Sequence, residues 1–275
     1  MSFFSDYLTM IKKLLLLISP LALLLGGCSQ YNYLQSPFTS NSNPYHAIPL
    51  QSDSITGATY VSTSFTAGSA NIDMKDYLLG FRAAVHRANT FGNFHLYYGT
   101  NVSVGTYNVS TDDYNYQYIT DPSFRTGNKF FGGVGFNGGF NVLVPLRNGG
   151  EWRVLGLEGS AHNEFGDYLA FRRKIPDSLG GVNYKYPWMG AVGITTEIIA
   201  RRRSGTKIGY KLAMGLGTTS MHDNYSYSNY TPVYVSNTLH FGKDNWVTFF
   251  QLNFGSYTVN FQFGVNFMIG ASKKE

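Results

Sequence analysis

Residues 257–269 read Tyr-Thr-Val-Asn-Phe-Gln-Phe-Gly-Val-Asn-Phe-Met-Ile. Every odd position is large and apolar: Tyr257, Val259, Phe261, Phe263, Val265, Phe267 and Ile269. Between them stand Thr258, Asn260, Gln262, Gly264 and Asn266. A helix, with about 3.6 residues per turn, would scatter such a set around its circumference, whereas an extended chain sends alternate side chains to opposite faces. The segment is predicted to be a strand with one bulky apolar face and one small, amide-rich face.

The same split recurs upstream. Phe130, Val134, Phe136, Phe140, Val142 and Val144 alternate with Gly133, Gly135, Asn137, Gly139 and Asn141. Trp188, Val192, Ile194 and Ile198 oppose Gly193, Thr195, Glu197 and Arg201, and Ile208, Tyr210, Leu212, Met214 and Leu216 oppose Lys207, Gly209, Lys211, Gly215 and Gly217. The polar face of a soluble sandwich meets water and is rich in Lys and Glu; here it suits a narrow interior, and the apolar faces point outward, to lipid. A strand in a bilayer cannot leave its backbone unpaired, so such a sheet must close. Charged residues make up 13% of the 275-residue chain, about half of the roughly 25% typical of soluble domains, which agrees with an exterior that is not wet. Aromatic residues at 16% exclude a disordered chain, and a net charge of +5, scattered along the sequence, gives no case for nucleic acid.

Strands are predicted at 57–67, 76–88, 93–107, 129–144, 151–164, 186–202, 206–220, 232–242, 245–254 and 256–270. Ten is the expected number, with eight as the alternative because 57–67 and 232–242 alternate weakly. Connections then alternate between short ones (89–92, 145–150, 203–205, 242–244) and long, polar, Tyr-rich ones (108–128, 165–185, 221–231). The expected fold is a closed antiparallel up-and-down transmembrane β-barrel over residues 56–271, followed by a polar tail, 272–275. Outer-membrane barrels of even strand number put short turns and both chain ends in the periplasm and longer loops outside. Tyr77, Phe94, Phe130, Trp152, Tyr186, Trp188, Tyr210, Trp246, Phe254 and Tyr257 sit near strand ends, where aromatic girdles are expected.

The first 27 residues read as a signal peptide. Lys12 and Lys13 precede an apolar run, Leu14–Leu25, broken only by Ser19 and Pro20 and too short to span a bilayer. Met10 offers an alternative start with a more ordinary n-region. Leu25-Gly26-Gly27-Cys28 resembles the lipobox of bacterial lipoproteins, which implies that Cys28, the only cysteine, carries a covalent lipid such as palmitate. Ser29 in place of Asp implies outer-membrane sorting. Residues 28–55, rich in Ser, Asn, Gln and Pro without periodicity, are expected to form an extended periplasmic tether with a solvated His46. As a whole the chain resembles lipid-anchored outer-membrane β-barrels, which implies an integral barrel anchored on the periplasmic side, with outer-membrane lipids and lipopolysaccharide as neighbours.

By strand parity the interior receives Arg82, His86, His95, Glu158, His162, Glu197, Arg201, Lys207, Lys211 and His240. Small barrels fill their interiors with side chains, and buried charges must pair. The expected site is an ion-pair network of Arg82, Lys207 and Lys211 with Glu158 and Glu197. Ser160 and His162, two apart with Glu158 on the same face, resemble the catalytic spacing of outer-membrane phospholipase barrels, but parity aims them inward, away from lipid, and their order departs from that family. HExxH, CxxC, GxSxG and P-loop motifs are absent, so no catalytic residue, metal or cofactor is assigned. The expected role is that of a structural or interaction barrel or a small-solute pore with a narrow or occluded lumen; the alternatives are a lipid-modifying enzyme, an adhesion barrel acting through Tyr-rich loops that bind a protein partner, and a lipocalin-like soluble lipoprotein.

Overall fold

The computed structural model describes residues 33–39, 43–71, 74–110, 126–147, 149–175, 182–218, 221–223 and 228–273. All of them belong to one unit, Tyr31–Glu275. The signal peptide, Cys28 and the Tyr-rich stretches 111–125 and 224–227 lie outside the described residues.

The strands in chain order are β1 (Tyr33–Leu34), β2 (Ile55–Ala70), β3 (Asp76–Phe91), β4 (Phe94–Val109), β5 (Gly127–Pro145), β6 (Glu151–Phe165), β7 (Val182–Asn183), β8 (Trp188–Arg201), β9 (Lys207–Gly217), β10 (Met221–Asp223), β11 (Ser228–Tyr230), β12 (Val233–Lys243), β13 (Trp246–Gly255) and β14 (Thr258–Lys273). One helix, α1 (Asp167–Lys174), follows β6. Ten of the strands close into a barrel in the order β2-β3-β4-β5-β6-β8-β9-β12-β13-β14, with antiparallel β14 returning to β2. All ten correspond to the strands expected from alternation. The barrel starts at Ile55, and β14 runs to Lys273, into the segment read as a polar tail.

The closing seam fixes which face is which. Phe263 of β14 stands opposite Phe65 of β2, which stands opposite Phe81 of β3, and Phe250 of β13 pairs with Phe263 from the other side. This cross-strand row is 40–50% exposed on the barrel exterior, and Val102, Phe136, Leu157, Val192 and Ile194 are exposed beside it. One register step away the side chains turn inward. Gln262 and Gln251 oppose each other, Asn253 Nδ2 donates to Asn260 Oδ1 at 2.7 Å, and Gln251 Nε2 donates to Asn253 Oδ1 at 2.9 Å. The small-residue face is an amide-lined lumen, where unpaired polar groups would be costly. Inward glycines make room for large neighbours across the strand: a Cβ on Gly135 would lie 2.3 Å from His162, and one on Gly264 would lie 2.4 Å from Phe249.

Short connections (92–93, 146–150, 202–206, 244–245) gather at one end of the barrel, hereafter the turn end. The other end, the loop end, holds the connections 110–126, 166–187 and 218–232 and the two tight ones, 71–75 and 256–257. Trp152, Trp246, Phe91 and Phe94 are exposed near the turn end, and Tyr77, Phe130, Phe165 and Trp188 near the loop end. Tyr257 is a correction. It occupies the turn before β14 with φ +53°, and its ring packs against Tyr33 with centroids 4.6 Å apart, so it belongs to the interior.

The loop end is capped. β1, β7, β10 and β11 form a small second sheet, in which Tyr33–Leu34 pair in parallel with Val182–Asn183. Helix α1 packs beside it: Arg172, fully buried, pairs with Glu164 at 2.5 Å and stacks over Tyr168, and Tyr168 stacks on Tyr107 at 3.9 Å. Burial raises the Tyr168 pKa well above its ordinary value, so the hydroxyl stays protonated and donates to Gln35 O at 3.1 Å.

The largest departure from the sequence reading concerns residues 33–39 and 43–50. Read there as part of a periplasmic tether, they run inside the barrel, and Tyr33, Leu34, Phe38, Tyr45, His46, Ala47 and Leu50 are each under 5% exposed. Pro37, Pro44 and Pro49 keep this segment out of the sheet, because each removes an N–H that a ladder would need. It holds instead to side chains of the wall.

Candidate functional site: the filled lumen

From the loop end downward, the Tyr33 N–H donates to Asn71 Oδ1 at 2.8 Å and Gln35 Nε2 donates to Ser256 O at 2.8 Å. The Phe38 ring stacks on His162 (5.3 Å, interplanar 2°) and meets Phe131 edge-on. Near the middle, Asn43 Nδ2 donates to Tyr234 Oη and Gln251 Nε2 donates to Asn43 O. Tyr45 stacks on His240 at 4.4 Å, and His46 stacks on Tyr97 at 5.0 Å and meets His86 edge-on. The sequence reading placed His46 in solvent; it is 4% exposed.

Toward the turn end the chemistry becomes ionic. Arg153, 0% exposed, reaches three ways: Nε and Nη2 to Glu151 (2.7 and 2.6 Å), Nη1 to Glu197 (2.6 Å), and Nη2 to the carbonyl of Ile48 (3.2 Å). The other oxygen of Glu197 faces His240 Nε2 at 2.7 Å, and Glu151 Oε2 accepts from the Gln51 N–H at 2.9 Å. The segment is thus clamped by a guanidinium held between two carboxylates, which supply the opposite charge and hydrogen bonds that a buried ion needs. Below it, Asp53 accepts from Lys207 Nζ at 2.6 Å and Arg201 Nη1 at 3.2 Å, and Ser52 Oγ donates to Gly149 O at 2.6 Å. A cavity of about 290 Å³ opens here, lined by Tyr45, Ile48, Asp53, Arg201, Lys207 and His240 among others.

The five side chains expected to form one network are distributed over several contacts. Lys211 Nζ meets Glu158 at 2.5 Å, and Tyr97 Oη donates to the same carboxylate at 3.3 Å. Glu197 stands opposite Lys211 in register but is held by Arg153 and His240. Lys207 belongs to Asp53, and Arg82 donates through Nε to Ser103 Oγ at 2.9 Å. Glu158 and His162, weighed with Ser160 as a catalytic set, are engaged by Lys211 and Phe38 respectively.

Arg153 and Glu151 escaped the parity reading for a definable reason. Leu143 pairs with Arg153 and Val142 with Leu155, so Val154 is an extra residue in β6, and both Val154 (38%) and Leu155 (51%) face outward. A bulge of this kind inverts the alternation on one side of it. The signal was present as two consecutive apolar residues, where Trp152 and Val154 continue one phase and Leu155 and Leu157 begin the other. Asp53 and the rest of the interior segment were missed because irregular extended chain carries no period to read.

No family model matches the sequence, and no curated protein matches it either. Solved structures with similar barrels include the β domain of the Bordetella autotransporter BrkA (10% identity, 77% of this chain and 99% of that one, TM-score 0.41), the KdgM porin in complex with oligogalacturonate (13%, 77% and 99%, TM-score 0.32) and the outer-membrane protease OmpT of Escherichia coli (8%, 82% and 99%, TM-score 0.33).

Proposed function

We propose that the chain is an integral outer-membrane β-barrel, lipid-anchored through Cys28, that works as a closed structural and interaction component and presents its capped loop end to partners. The single observation that carries this reading is that the apolar belt encloses a lumen already occupied by residues 33–39 and 43–50 of the same chain, hydrogen-bonded to the wall at Tyr33, Asn43 and Ile48. Ten strands lie only a little above the about eight whose interiors side chains can fill, and far below the roughly 16 of an open porin. An internal segment fills that difference. Of the two roles expected from the sequence, a resident plug favours the structural one over a solute pore.

Purified protein in planar bilayers is expected to give no steady conductance; sustained openings of porin size would overturn the closed-barrel role. Heated and unheated gel mobility of outer-membrane fractions tests the rest. Wild type and Cys28→Ala should both shift with heat, with altered processing confined to the mutant. A mutant extracted by carbonate, without a heat shift, would mean a peripheral β-domain.

A further inference from the structure

We infer that the turn end of the barrel is a docking surface for anionic phospholipid headgroups, built as an arc of cations along the edge of the apolar belt. The inference rests on the membrane-barrel reading above. Among the described residues, Arg147, Arg202, Arg203, Lys243 and Lys273 are exposed at this end and pair with no carboxylate, and the one exposed acid there is Asp244. Tight turns fix most of these positions. Gly149 (φ +77°) closes the turn that carries Arg147, with the Leu146 N–H donating to Gly150 O at 2.9 Å. Gly205 (φ +81°) closes the turn that carries Arg202 and Arg203, with the Arg202 N–H donating to Thr206 O at 2.8 Å. Arg201 and Lys207, which flank that turn, share Asp53, so this group too keeps an excess of positive charge.

The barrel order spreads these positions along the rim. The β5–β6 turn with Arg147 is followed by the β8–β9 turn with Arg202 and Arg203, the β12–β13 turn with Lys243 and the end of β14 with Lys273, while the β3–β4 turn, Gly92–Asn93, carries no charge. A soluble polyanion is met by a compact patch, whereas cations distributed along a rim face what surrounds the barrel. Their depth points the same way. Lys243 stands opposite Trp246 in register, and Trp152, Phe91 and Phe94 are exposed beside neighbouring turns, the level at which aromatic rings border headgroups. Arg87 lies on the outward phase of β3 with Phe81 and Val85, and neutral groups hold its guanidinium: Asn89 Oδ1 at 3.2 Å, Thr59 Oγ1 at 3.1 Å and Ser272 Oγ at 2.7 Å. A guanidinium fixed on the outer wall without a carboxylate is ready to make charge-assisted bonds to a phosphate.

The test uses the full-length protein carrying Trp188→Phe, which leaves Trp152 and Trp246, both at the turn end, as the fluorescent reporters. It is placed in vesicles of equal parts phosphatidylcholine and phosphatidylglycerol, with brominated acyl chains on one lipid at a time, and each variant is checked first for the heat-dependent gel shift of a folded barrel. Bromine quenches tryptophan only at contact, so the ratio of quenching by the two lipids reads the headgroup preference of this rim. Brominated phosphatidylglycerol is expected to be enriched about threefold or more, given that each cation near an anionic surface is worth about fivefold in affinity. The enrichment should fall towards parity in about 1 M salt, where charges are screened beyond about 3 Å. It should fall likewise in the variant Arg147→Gln, Arg202→Gln, Arg203→Gln, Lys243→Gln, whose four altered side chains are exposed and hold nothing in place. Equal quenching by the two lipids would overturn the inference and leave the barrel standing, as would an enrichment that the quadruple variant keeps in full. Equal quenching together with heparin binding in neutral detergent would reassign the face to a soluble polyanion. No quenching by either lipid would overturn the membrane-barrel reading and the inference with it.

Discussion

The two ends of the lumen hold the same segment by different chemistry. At the loop end the grip is aromatic: Tyr33, Phe38, Phe131, Tyr107, Tyr168 and Phe171 form one buried cluster with Leu34, Val182 and Met189. At the turn end it is ionic, with Arg153 between Glu151 and Glu197 and Asp53 between Arg201 and Lys207. Apolar contact is forgiving of small displacements, whereas a buried guanidinium with two carboxylates has one good arrangement. The loop end therefore supplies bulk stability, and the turn end sets the register of the segment against the wall.

Four experiments break or sharpen that contrast, in falling order of effect. Arg153→Met leaves the buried Glu151 and Glu197 without their guanidinium, and a loss of about 3–5 kcal/mol is expected in urea denaturation of the micelle-embedded barrel. A loss below about 1 kcal/mol would mean that water reaches the clamp. Phe38→Ala empties the space between His162 and Phe131 and should cost about 3 kcal/mol, unchanged by added salt. A double-mutant cycle on Lys211→Met and Glu158→Gln should return a coupling of about 1–3 kcal/mol, larger than the same cycle on Lys211 and Glu197; equal couplings would show a shared network rather than separate pairs. Asp53→Asn, whose partners Arg201 and Lys207 are partly exposed, should cost less than about 1 kcal/mol and nothing at high salt.

The ten strands were legible because an apolar exterior and a crowded interior impose opposite side-chain sizes on the two faces, so alternation survives even where charge is scarce. Phe261, Phe263 and Val265 against Gln262, Gly264 and Asn266 carry that signal without help from distant residues. The interior segment obeys no such rule. Wall surrounds it, so every side chain of 43–50 is buried and nothing alternates. Its composition held a hint, because Tyr33, Phe38, Tyr45, Ile48 and Leu50 are more apolar than a solvated tether requires. For the site, parity identified Glu158, Glu197, Lys207 and Lys211 as inward but could not choose their partners, since Arg153 arrives through a bulge and Asp53 from outside the sheet.

The seam between β14 and β2 also carries a kinetic meaning. It joins positions as far apart in sequence as Ile55 and Lys273, the slowest kind of contact to find. Residues 43–50 lead, through 51–54, into β2, one of the two strands that must meet there. Once the ring is shut, drawing that segment in would mean breaking both the loop-end sheet contacts and the ion clamp. The segment must be laid along the growing wall before closure, serving as a core around which the remaining strands are wrapped, and the seam has to stay open until the first strand has brought the filling with it.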